Sequence, residues 1–122
     1  MELLELRAES LVRVVVTSWI IVLMSSVVFA RIAQTDLLEV WSFIAEDSFE
    51  AADHVLDIID REAQTLALQP LMGRKRSDLS VGIRSWPTST SYNLYYLPSE
   101  DGIVVVRVLH HARDIQSREF MN

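Results

Sequence analysis

Apolar residues recur at helical spacing through the first half of the chain and fall into short strand-like runs in the second. Leu37, Val40, Trp41 and Ile44 form one apolar stripe. They predict a helix opened by Gln34 or Thr35, with Asp36 in the first turn, where the helix dipole favours an acid. Trp41 is expected to anchor the core. Asp47-Ser48-Phe49-Glu50 interrupts the stripe, and an Asp with a Glu three residues later resembles a capping box. A second helix is therefore expected to run to about Leu68. Ala52, Val55, Leu56, Ile59, Ala63 and Leu66 would lie on one side, and Glu50, Asp53, Asp57, Asp60 and Glu62 mostly on the other. So short a link predicts an antiparallel helix hairpin.

After Pro70 and Gly73 the pattern changes. GRKRSDLSVG reads as a polar surface connection. Val81–Trp86, Tyr92–Leu97 and Ile103–Leu109 read as strands, with Pro87 stopping the first of them. TSTS at 88–91 is a loop, and PSEDG at 98–102 has hairpin-turn chemistry, with Gly102 available for a positive φ. Ile103–Leu109 is nearly all β-branched, as suits a strand covered on both faces. With Met24–Phe29 as a short first strand, the order is β-α-α-β-β-β. That predicts an α+β fold with the helix hairpin on one face of a small, mainly antiparallel sheet.

Residues 14–30, VVVTSWIIVLMSSVVFA, carry no charge. Seventeen residues is the lower limit for a membrane-spanning helix, and Arg13 and Arg31 would bracket one. Glu2, Glu5 and Glu9 against Arg7 and Arg13 give the wrong charge for a signal-peptide n-region. The favoured expectation is that Met24 starts the domain and that 1–23 is an upstream extension or a mis-assigned start. An apolar anchor is the alternative.

A chain of 122 residues suits one small domain, and half of it is hydrophobic. There is no cysteine, which excludes disulfides and thiolate metal sites and suits a cytoplasmic location. No cofactor is expected. The net charge of −6 argues against general nucleic-acid binding. The charge is uneven, though. Residues 24–72 hold nine acids and two bases, whereas residues 73–122 hold seven bases and five acids. Two differently charged faces can meet two different partners.

Three segments, taken in order, carry a family likeness. VVFARIAQTDLLEVWSFIAEDSFEAADHVLDIID at 27–60 resembles the opening of ParE-type toxins. GRKRSDLSVGIRSWP resembles their G-R-x-R connection into the next strand, and GIVVVRVLHHARDI resembles their last strand and its A-R-D tail. The likeness to the RelE/ParE superfamily covers about residues 24–116, leaving 117–122 as a tail. It implies the same β-α-α-β-β-β order. It also implies the toxin half of a type II toxin–antitoxin pair, neutralised by a cognate antitoxin. RelE-like members cleave mRNA on the ribosome; ParE-like members inhibit DNA gyrase without being nucleases.

RNA cleavage by 2′-OH attack needs a proton acceptor, an acid for the leaving oxygen, and cations for the phosphorane. Under a RelE-like reading the candidates are Arg84, Arg107, His110, His111 and Arg113. The late aromatic position is Phe120, which has no hydroxyl, and Lys75, in the connection, is the sole lysine. Tyr92, Tyr95 and Tyr96 are expected to pack between strand and helix. The ParE-like reading is favoured: a toxin acting by binding, without direct DNA binding or a membrane. Arg84, Trp86, Arg107, His110, His111 and Arg113 are its expected partner-binding residues, since Arg and Trp tend to dominate interfaces. Acidic antitoxin residues are expected to meet Arg84, Arg107 or Arg113.

Overall fold

The computed structural model describes residues 26–120. The expected first strand, extension and anchor therefore lie outside them up to residue 25. Strand β1 (Ser26–Phe29) is followed by helices α1 (Arg31–Ala45) and α2 (Phe49–Leu68). Strands β2 (Arg74–Lys75), β3 (Arg84–Pro87), β4 (Tyr92–Pro98) and β5 (Gly102–His110) complete one sheet, and Ser117–Phe120 form a final 3-10 turn. The sheet order is β1-β5-β4-β3-β2. β1 runs parallel to β5, and the other pairs are antiparallel. The expected α+β architecture is present, with β2 as an added two-residue strand inside the polar connection. Among the described residues no helix is long and apolar enough to cross a membrane.

The helix hairpin packs on one face of the sheet. Val40, Ile59, Ala63 and Leu66 meet Tyr92, Leu94, Tyr96, Ile103, Val105 and Val108 in a single buried cluster. The opposite face is covered too. Leu79, Ile83, Tyr95 and Leu109 form a second cluster, closed by Leu97, Val106, Ile115 and Phe120. This explains why β5 is apolar apart from Arg107: it is covered on both faces and flanked by β1 and β4. Tyr95 corrects one expectation, because it packs away from the helices, its ring 5.4 Å from that of Phe120.

Four local expectations are corrected by geometry. Helix α1 begins at Arg31, four residues before Thr35, although its N-cap, Ala30, has no side chain to cap it. The Ala30 N–H instead donates to the Val105 carbonyl (2.9 Å), so strand passes into helix without a loop. Asp36 is thereby moved out of the first turn and into the interior, 5% exposed. Helix α2 is capped by Ser48, whose Oγ accepts from the Ala51 N–H (3.1 Å), so the cap lies one residue beyond Asp47. Trp41 lies outside the core: it stacks on Phe49 (5.7 Å between rings) and donates to Asp53 (2.8 Å), tying the two helices at their outer side. Gly102 does not have a positive φ; Gly82 does, at 83°. Gly102 is needed because a Cβ there would lie 2.7 Å from the Ser26 nitrogen, inside the parallel β1–β5 ladder.

Candidate functional site

The arginine in GIVVVRVL is the first candidate to resolve. Arg107 is 11% exposed, and its Nε and Nη2 donate to the two carboxylate oxygens of Asp36 at 2.8 and 3.1 Å. Asp36 Oδ2 also accepts the Val108 N–H (2.9 Å). The β1 ladder ends at Val105, so the next edge amide of β5 would be an orphan without that carboxylate. The fork is bidentate, the stronger geometry for an arginine–carboxylate pair. Hydrogen bonding to Asp36 raises the Arg107 pKa, against the opposing effect of burial. Arg107 is thus a fixed part of the α1–β5 joint.

Arg84 lies on the far side of β4, and its side chain turns toward the α2–β2 connection. One terminal nitrogen donates to the carbonyls of Leu71 (3.0 Å) and Gly73 (2.7 Å). Tyr96 ties down the same connection: its hydroxyl accepts the Gly73 N–H and donates to the Pro70 carbonyl, each at 2.8 Å. Burial pushes the Tyr96 pKa up, only partly offset by the Gly73 N–H and the positive charge of Arg84. Gly73 must lack a side chain here, since a Cβ would sit 2.7 Å from Tyr96 Cε1. Among the described residues no carboxylate meets Arg84, and its charge is solvated by carbonyls.

Trp86 points to α2. Its indole N–H donates to Glu62 Oε1 (2.9 Å), while Glu62 Oε2 accepts the N–H (2.9 Å) and hydroxyl (2.6 Å) of Ser89. Burial pushes the Glu62 carboxyl up, but the Ser89 and Trp86 donors together pull it lower, leaving it below its ordinary value. The TSTS loop is further knitted by Thr88, whose hydroxyl donates to the Tyr92 carbonyl (2.6 Å).

The end of β5 gathers His110, His111 and Arg113. The two imidazoles are exposed, 4.5 Å apart, and His110 also meets the edge of Tyr92 at 5.4 Å. His110 Nδ1 accepts the Ala112 N–H (3.1 Å). Arg113 pairs with Glu119 rather than with neighbouring Asp114, and so pins the 3-10 turn beside the second core cluster. His110 and Arg113 share a shallow cleft of about 190 Å³ with Glu39.

The six candidates therefore fall into separate places. Arg107 is bound into the α1 joint, Arg84 is tied to the connection after α2, Trp86 holds Glu62 in the C-terminal half of α2, and only His110, His111 and Arg113 lie together. Among the described residues, no group of three or more His, Cys, Asp or Glu side chains could hold a metal ion. Sequence reasoning missed the partner of Arg107. The signal was available, because a lone charge in a buried strand needs an opposite charge. It also passed over Arg74 and Lys75, both exposed on β2 and absent from every ion pair of the described residues.

No curated protein matches the chain in sequence. A solved structure described as the chromosomal ParDE TA system from P. aeruginosa shares the fold, with a TM-score of 0.60 at 18% identity. The match covers 71% of this chain and 96% of that one. A family model described as the ParE toxin of the type II toxin–antitoxin system parDE matches residues 27–115. That span takes in both helices, the whole sheet after Ser26 and the His110–Arg113 end of β5, so the chain belongs to the ParE toxin family of type II toxin–antitoxin systems.

Proposed function

We propose that this toxin arrests growth in the cytoplasm by binding DNA gyrase, and that a cognate antitoxin neutralises it by covering its binding surface. The toxin domain on this reading is 24–116, with 1–23 as an upstream extension and 117–122 as a tail. Binding, without RNA cleavage, is supported chiefly by the dispersal of the arginines. A phosphorane needs cations converging on one phosphate. Arg84 and Arg107 lie on strands separated by β4, roughly 10 Å apart at the backbone, and their side chains are tied to different elements. Arg113 is paired as well. His110 and His111, exposed and in no ion pair among the described residues, serve as contact residues, with Trp86 and the braced 88–91 loop nearby.

Expression in a bacterial host, with and without the co-encoded antitoxin, tests this. The proposal expects growth arrest, induction of a DNA-damage reporter and rescue by the antitoxin. Ribosome-dependent mRNA cleavage that His110→Ala or His111→Ala abolishes would instead establish the RelE-like alternative. No arrest at all, from either the full chain or one starting at Met24, would end the toxin reading for this copy.

A further inference from the structure

Nine of the chain's cations lie among the described residues. Four of them (Arg61, Arg76, Arg107, Arg113) meet a carboxylate of a described residue, and five (Arg31, Arg74, Lys75, Arg84, Arg118) meet none among the described residues. Three of those five are neighbours. Lys75 lies opposite Arg84 in the β2–β3 ladder, and Arg74 is next to Lys75. Asp78, the acid closest to them in sequence, is taken up by Arg76 in two hydrogen bonds of 3.0 Å. A chain of net charge −6 thus gathers at one sheet edge three cations that are in no ion pair among the described residues.

The same edge has apolar walls. Lys75 and Arg84 line an open cleft of about 430 Å³ with Leu71, Ile83, Leu97 and Pro98. Leu71 is 70% exposed and adds aliphatic surface beside the two cations. Among the described residues β2 pairs only with β3, so no described strand covers its outer edge. Among the described residues, the cleft is lined by no aromatic side chain on which a nucleic-acid base could stack. Aliphatic walls and paired cations fit a peptide that alternates apolar and carboxylate side chains.

We propose that the β2 edge, with Arg74, Lys75 and the Leu71–Arg84 cleft, docks an extended acidic segment of the antitoxin. This inference rests on the reading that a cognate antitoxin binds the chain. It moves the electrostatic contact from Arg107 and Arg113, whose charges are met internally, to Arg74 and Lys75. Arg84 contributes its field and stays bound to the carbonyls that hold the connection.

The test uses the full chain and its purified co-encoded antitoxin, with affinity measured at low and high salt. Arg74→Glu with Lys75→Glu is compared with Arg31→Glu with Arg118→Glu, which makes the same charge change at unpaired cations elsewhere. The expected result is a loss of at least about tenfold at low salt for the β2 pair, with a flatter salt dependence. The control pair should change affinity by less than about threefold. Arg74→Gln with Lys75→Gln, which adds no acids, should lose affinity in the same direction. Equal losses for the two Glu pairs, or none for either, would overturn the proposal. So would an intact antitoxin affinity in a β2 variant that has lost binding to a single-stranded oligonucleotide. If the unmodified chain fails to bind the antitoxin, the neutralisation reading itself falls and the docking inference falls with it.

Discussion

At the β5 edge beyond β1, Arg107 is 11% exposed and its guanidinium is held by both oxygens of Asp36. At the opposite edge of the same sheet, Arg74 and Lys75 are exposed and meet no carboxylate among the described residues. Burial decides the difference. An arginine inside a strand covered on both faces must be matched by a buried acid, or the fold carries the cost of an isolated charge. A two-residue strand at the rim carries no such demand, because water screens its cations. Charge at the first edge is consumed by folding, and charge at the second remains available to a partner. Sequence alone counts all these residues as basic and cannot separate the two kinds.

The sharpest way to break this comparison is at Asp36. Asp36→Ala leaves Arg107 uncompensated and the Val108 N–H without an acceptor. The expected cost is about 3–5 kcal/mol, the range for breaking a buried pair from one side. Arg74→Ala with Lys75→Ala should change stability by about 0.5 kcal/mol or less. Urea unfolding of both variants checks the contrast. A loss below about 1 kcal/mol for Asp36→Ala would place the α1–β5 pair among ordinary surface bridges.

Tyr96→Phe comes next. It removes the hydroxyl that links Pro70 and Gly73 across the start of β2, with an expected loss of about 1–3 kcal/mol for the buried groups left unpaired. Because Tyr96 holds the connection that carries the β2 cations, faster proteolysis between Gln69 and Arg76 should accompany the loss. Unchanged cleavage there would separate the β2 edge from the Tyr96 brace.

The smallest expected effect is the pH dependence of Glu62. Its folded carboxyl titrates below the ordinary value of 4.5, so its contribution is fully present above that value. The contribution is lost as pH falls through the lower folded pKa. Thermal unfolding should therefore show stability falling in acid, and Glu62→Gln should flatten that fall. The variant should cost roughly 1 kcal/mol near neutral pH, since the group is part-exposed. An identical acid slope in both proteins would mean that the Ser89 and Trp86 hydrogen bonds do not hold the carboxylate.

Much of the fold is legible in the residue pattern because burial imposes period. The core face of α2, the β5 run and the β4–β5 hairpin all follow from it. What resisted was set by contacts distant in sequence. Ala30 offers no cap, so the true start of α1 is invisible without the Val105 carbonyl that receives its amide. That four-residue shift turned Asp36 from a dipole partner into the acid that meets Arg107. Gly102 signalled a turn by composition, yet its requirement comes from the approach of Ser26. The candidate site was less legible still. The sequence marks which residues are charged, but only packing shows which charges are already met.

The most direct test of the central claim, that this toxin acts by binding rather than by cutting RNA, is a supercoiling assay with purified gyrase and the full chain. Supercoiling should be inhibited as the toxin is added and restored by the co-encoded antitoxin. Undiminished supercoiling at toxin concentrations well above that of gyrase, together with mRNA cleavage on translating ribosomes, would contradict it.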